Sequence, residues 1–216
     1  MTRCCSPAGY RWIFSERHAR REARRYRRRG LDSTARRTAQ LLEPNAIRGA
    51  TLLEVGGGVG ALQVELLKAG VTRAVGIEMT PTYQAAADEL LRAAGLEGRV
   101  ERRLMDFAES GNLVPAADLV ILNRVICCYA DMPKLVNAAA KHTTHVLVMS
   151  FPNGRWWTRL ALALNNFALW LIRRRFHVFA HRPDAIVAAA EETGLEVAAN
   201  HPGVFWQVVA LRRLGD

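Results

Sequence analysis

The residues best placed to do chemistry crowd around "EVGGGVG", Glu54 to Gly60, where Gly56, Gly57, Gly58 and Gly60 follow a carboxylate. Glycines in that number permit a tight turn and let a ligand approach the backbone. Lying between an apolar run and an amphipathic helix, they also aim the helix's first N–H groups at that ligand. Gly56, Gly58 and Ala61 satisfy the dinucleotide fingerprint G-x-G-x-x-G/A, and Glu78 stands 22 residues after Gly56, where an acid would accept ribose hydroxyls. Those features suit NAD as well as any other adenosine cofactor. Glu54 discriminates, because a carboxylate beside the loop repels a pyrophosphate and attracts an ammonium. At about 4 Å and an effective dielectric near 20, that change of sign is worth roughly 4 kcal/mol either way.

Candidate bases near the expected mouth are Tyr129, His18 and His181, with His177 beside them, and each has an ordinary structural use as well. Cys127 and Cys128, in "NRVICCYAD", are open to three readings: nucleophile, soft-metal ligand or small apolar filling, of which the last is commonest. With Cys4 and Cys5 they form two adjacent pairs without CxxC spacing, which argues for reduced thiols and against a metal centre.

The elements that must hold these groups begin at Ala50. "ATLLEV", "RAVGIEM", "RVERRLMD", "DLVILNRV" and "THVLVMSF" read as strands, separated by helical "ALQVELLKAG", "PTYQAAADELLRAAG" and "MPKLVNAAAKH". That alternation predicts a parallel sheet covered on both faces. The tail "LEVAANHPGVFWQVVALRR" reads as a hairpin whose last strand runs antiparallel. Before the sheet, "SERHARREARRYRRRG" predicts a helix with Ser15 as N-cap and Gly30 as stop, and a second helix runs from Asp32 or Ser33 to before Pro44. The 216 residues, half of them apolar, suffice for one sizeable core. The expected division is a helical cap over residues 1–45 and one α/β domain over 46–216.

Over Ala50 to Leu214 the sequence resembles the class I S-adenosylmethionine-dependent methyltransferases. The resemblance implies a seven-stranded, mostly parallel, doubly wound Rossmann-like sheet with a C-terminal antiparallel hairpin. It implies Glu54, Gly56, Gly58 and Gly60 around the methionine part, Glu78 on the ribose diol and Met79 beside the adenine. Asp106 would face the adenine amine next to Phe107, and Asn123 and Arg124 would line the pocket after the fourth strand. "FHVFAHRPDAIVAAAEETGLEV" is loosely similar to magnesium-protoporphyrin O-methyltransferases and related small-molecule enzymes. The Pro-Cys pair of cytosine-C5 methyltransferases and the Asp/Asn-Pro-Pro-aromatic motif of amino-methylating nucleic-acid enzymes are both missing.

The charge of +10 is uneven: residues 1–45 hold twelve Arg against Glu16, Glu22, Asp32 and Glu43, a net of +8. Arg17, Arg20, Arg21, Arg24, Arg25 and Arg28 form one basic stripe at helical spacing, opposite Ala19, Ala23 and Tyr26. A solvated surface helix, RNA or DNA phosphates, lipid headgroups or an acidic substrate would each account for it. "RWWTRLALALNNFALWLIRRR", Arg155 to Arg175, reads as a helix that covers the site or makes a dimer contact. Alternatively it is an apolar substrate wall carrying Trp156 and Trp157, or an interfacial membrane helix. No segment is apolar and long enough to span a bilayer, and no secretory signal is evident, so the expected place is the cytoplasm. The expected function is methyl transfer to an O, N or S atom of a small, partly apolar molecule by a monomer or homodimer. The alternatives are a nucleic-acid-binding protein or RNA methyltransferase using the arginine helix and, behind them, an NAD oxidoreductase.

Overall fold

The structure is a computed structural model that describes residues 7–174 and 176–214; Cys4 and Cys5 lie outside them. Four helices come first: α1 (Pro7–Ile13), α2 (Glu16–Arg29), α3 (Ser33–Gln40) and α4 (Pro44–Ile47). Then follow β1 (Thr51–Val55), α5 (Ala61–Ala69), β2 (Arg73–Glu78), α6 (Gln84–Ala94), β3 (Val100–Leu104), α7 (Phe107–Ser110) and β4 (Ala117–Asn123). The chain ends with α8 (Met132–Lys141), β5 (Thr143–Pro152), α9 (Trp156–Leu171), α10 (Pro183–Glu191), β6 (Leu195–His201) and β7 (Trp206–Arg213).

The seven strands form one sheet in the order β3-β2-β1-β4-β5-β7-β6, parallel through β5, with β7 antiparallel to both neighbours. Strand order reverses between β1 and β4, where Leu52, Leu53 and Glu54 pair with Leu119, Val120 and Ile121. Side chains alternate across a strand, so neighbouring residues feed opposite layers. Leu53, Val120, Leu122, Leu147 and Met149 join the core beneath α8 and α10. Leu52, Leu119, Ile121 and Val148 join the other, beneath α3 and α5. Burial on both faces explains the unbroken apolar run Leu119–Leu122 within β4, each fully buried Leu, Ile or Val contributing about 1.5–3 kcal/mol.

α2 buries only Ala19 and Ala23, against Val59, Tyr83, Ala86 and Leu90, while the six arginines of its basic stripe are exposed. Ser15 occupies its N-cap position without a side-chain capping bond, and Gly30 ends it at φ 68°. Asp32 does cap α3, accepting from the Thr34 and Ala35 N–H groups at 2.9 Å. The expected second helix stops at Gln40, before Pro44, which opens the short α4. α9 buries only Thr158, Leu162 and Leu169, so most of the expected covering helix stands in the open. None of the helices among the described residues is long and apolar enough to cross a membrane.

Candidate active site

The glycine loop leaves β1 at the strand-order reversal, where open α/β sheets bind ligands. The Gly58 N–H donates to Glu78 Oε1 at 2.5 Å, and Arg102 Nη2 donates to the Gly58 carbonyl at 2.9 Å. Gly58 has φ 61°, and a β-carbon there would lie 3.2 Å from the Tyr83 ring and 3.3 Å from Glu22 Oε1. At Gly57 a β-carbon would lie 2.4 Å from Glu54 Oε2, so that carboxylate presses against the underside of the loop.

Above the carboxyl ends of β1, β2 and β4 lies a cavity of about 510 Å³. Its floor includes Gly56, Gly57, Gly58, Glu78, Met79, Asp106, Phe107, Asn123 and Arg124, and α2 contributes His18 and Glu22. The far wall is apolar: Tyr10, Ile13 and Phe14 from α1 and the turn after it, with Leu162, Phe176 and Val178. Aromatic edge-to-face contacts of Phe176 with Tyr10 and Phe14 fix that wall.

Three carboxylates converge on the loop. Burial, against the pull of Arg102 and the Gly58 N–H, pushes Glu78 up to about 7. Burial and the neighbouring Glu78 push Glu54 up to about 7, partly offset by Gln63 and Arg102. Burial also raises Glu22, although Arg124 pulls the other way. Glu54 Oε2 and Arg102 Nη1 are buried without a hydrogen-bond partner. A site with this surplus of carboxylates favours a cation and opposes a diphosphate.

Burial, then Arg21 and Arg124, lower His18, which stands 4.0 Å from Glu22 Oε2 and is neutral near pH 7. Tyr129 Oη donates to Asp106 at 3.0 and 3.1 Å from its two carboxylate oxygens, and burial together with Asp106 raises the phenol. Arg124 adopts φ 58°, its Nη2 lies 2.6 Å from Asp32 Oδ2, and its guanidinium sits 6.0 Å from the Trp206 ring centroid. Neighbouring Asn123 accepts from Ser150 Oγ at 2.7 Å.

Gly56, Gly58, Glu78, Met79, Asp106, Phe107, Asn123, Arg124, Cys127, Cys128, Tyr129 and His18 thus meet in one cavity. Five expected site residues do not line it. Glu54 faces the opposite side of the sheet from Val55 and borders a small adjoining cavity with Glu22, Arg25, Asp32 and Arg124. Gly60 begins α5 beyond the loop. His181 Nε2 is held 2.9 Å from the Tyr129 carbonyl. Trp156 is 71% exposed, and Trp157 donates to the Val204 carbonyl beneath the Arg155 guanidinium. α9 reaches the cavity with Ala161, Leu162 and Asn165 instead. Cys127 and Cys128 hold their sulfurs 3.8 Å apart and both lie near the Arg124 carbonyl. Among the described residues no metal-binding cluster exists, and Cys4 and Cys5 lie outside them.

The sequence reading missed Glu22, Tyr83 and Phe176. Glu22 was within reach of it, because it shares a helical face with Ala19, Ala23 and Tyr26, the packed stripe of α2.

Residues 19–200 match the family model described as a methyltransferase domain, so the chain belongs to that methyltransferase family. It is an S-adenosylmethionine-dependent enzyme. Magnesium protoporphyrin IX methyltransferase from Synechocystis PCC 6803, solved with bound SAH, is similar at TM-score 0.68 and 16% identity, over 95% of this chain and 93% of that one. An O-methyltransferase family 2 protein from Planctomyces limnophilus, in complex with apigenin, gives 0.68 and 20% over 92% of this chain and 62% of that one. An O-methyltransferase family protein from Burkholderia thailandensis gives 0.66 and 19% over 93% and 63%. This chain therefore spans under two thirds of the latter two. No curated protein sequence matches it significantly.

The residues present fit the methyl donor. The loop leaves room at Gly58 that a side chain would fill, and the buried acids offer acceptors to a cationic ligand.

Proposed function

We propose that this enzyme methylates an O, N or S atom of a small, partly apolar molecule held in the cavity beneath α1 and α2. The carrying observation is the division of that cavity: carboxylates and the glycine loop on one side, Tyr10, Ile13, Phe14, Leu162, Phe176 and Val178 on the other. S-adenosylmethionine supplies a methyl group activated by a positive sulfur. The protein's part is alignment, worth roughly 7–11 kcal/mol when the reacting atoms are held in line.

In this reading Glu78 accepts the ribose hydroxyls, Asp106 accepts from the adenine amine, and Met79 and Phe107 flank the ring. Gly56 and Gly58 admit the methionine part, with Asn123 and Arg124 at the pocket edge. Glu54 acts from below by its charge, and Glu22 meets the ammonium from above. Of the candidate bases, His18 is neutral and faces the cavity, whereas the raised Tyr129 phenol serves as a donor that steadies Asp106. Residues 1–45 act as a cap on the domain over 46–216. Calorimetric titration with S-adenosylhomocysteine tests the donor site. Incubation of cell extract with isotope-labelled donor, followed by mass analysis of small molecules, tests the acceptor class; label appearing only in RNA would sink it.

The exposed arginines of α2 sustain a second reading, RNA methylation with affinity drawn from phosphate contacts. It requires RNA binding that falls steeply with salt and disappears when Arg20, Arg21, Arg24 and Arg25 become Ala.

A further inference from the structure

The outward face of α9 is bare. Trp156, Leu160, Leu164, Phe167 and Leu171 recur at i, i+4, i+8, i+11 and i+15, and are 71, 50, 60, 59 and 66% exposed. That spacing sets them on one side of the helix, opposite the buried stripe of Thr158, Leu162 and Leu169. Arg159 and Asn166 fall on the flank and Asn165 on the inner side, leaving the outermost strip without a polar side chain. At 1.5 Å per residue the helix is about 24 Å long, too short to span a bilayer and long enough to lie along one.

Cations bracket this strip. Arg155 and Arg159 stand at one end; at the other are Arg173 and Arg174, the latter with its guanidinium 3.8 Å from the ring centroid of half-exposed Trp12. The sequence has no acidic residue between Asp131 and Asp184. A second copy of this chain laid against the strip would bring further arginines to the same place without a carboxylate from this segment to pair them. An anionic headgroup layer pairs with all of them while its acyl region takes the apolar strip, with Trp156 and Trp170 near the boundary.

We propose that α9 is an interfacial helix that seats the enzyme on an anionic lipid surface. Its inner side, through Ala161, Leu162 and Asn165, is a wall of the cavity, so the docked enzyme holds that cavity against the bilayer. The orientation rests on the methyl-transfer reading above; the docking itself does not.

The test is co-sedimentation of the full chain with vesicles of phosphatidylcholine containing 30% phosphatidylglycerol, at about 0.1 M salt. Binding is expected there, at least tenfold weaker on pure phosphatidylcholine, and weakened by raising the salt. The double variant Leu164→Glu, Phe167→Glu should lose vesicle binding while keeping its affinity for S-adenosylhomocysteine, which separates docking from donor binding. Equal binding by the variant overturns the proposal. So does a dimer in solution that this variant dissociates, with no sedimentation of the parent protein. If the double variant proves unstable, Leu160→Gln alone must weaken binding at unchanged melting temperature, or the proposal fails.

Discussion

Glu22 of α2 and Gly58 of the loop after β1 face each other so closely that a β-carbon on Gly58 would lie 3.3 Å from Glu22 Oε1. The N-terminal helices thus line the site as well as cover it.

Replacing Glu22 by Gln should weaken S-adenosylhomocysteine binding about tenfold, or about 1.4 kcal/mol, by titration calorimetry. The melting temperature should hold or rise. Burial raises the Glu22 carboxyl, so its charged form costs the folded protein stability that Gln does not. A fall in stability with unchanged affinity would make Glu22 purely structural.

Gly58→Val should nearly abolish donor binding, since a branched side chain is strained at the φ of 61° the loop requires and would meet Tyr83 and Glu22. Glu78→Ala should weaken binding without closing the loop, so that the ligand's protection against thermal unfolding shrinks but persists. Affinity unchanged in both variants would move the site elsewhere.

The pH dependence has a definite sign. Glu78 and Glu54 are raised to about 7 from an ordinary value near 4.5. The folded state therefore binds their protons more tightly than the unfolded chain. Their contribution to stability is full below about pH 4.5 and is lost as pH rises through about 7. Donor binding needs the ionised acids, so affinity should rise between pH 6 and 8 and protons should be released on binding. Calorimetry in buffers of different ionisation enthalpy measures that release; none at pH 6.5 contradicts the assignment.

His18→Gln should lower kcat by about 10²-fold with donor affinity little changed, and should remove the acid limb of the rate profile. Tyr129→Phe should instead weaken donor binding a few-fold, because the phenol steadies Asp106, and leave that limb in place. Equal pH profiles for parent and His18→Gln would remove His18 as the base.

Asp32→Ala should cost about 1 kcal/mol for the lost cap of α3, and more because Arg124, already at φ 58°, loses its closest anionic partner. Chemical denaturation measures the sum. Asp32→Asn, which keeps the cap and drops the charge, divides it.

The sheet was legible because β4 and β5 carry the apolar runs Leu119–Leu122 and Val146–Met149 and the glycines mark the turn after β1. Glu54 shows where such reading stops short. Its place at the end of β1 is evident, but the alternation that sends Val55 into the cavity sends Glu54 to the other face, under Gly57. α9 is the larger surprise: apolar residues around most of a helix look alike in sequence whether they meet a core or nothing. Which partner fills that space is a tertiary fact. His181 and Trp157 went elsewhere because backbone carbonyls of Tyr129 and Val204 claim their ring nitrogens.

The acids gathered at the loop also bear on turnover. Methyl transfer erases the positive charge on sulfur, so under the proposed reading Glu22, Glu54 and Glu78 would hold the spent nucleoside less firmly than the fresh one. On that reading, the same charge difference would favour release of a used donor over a loaded one.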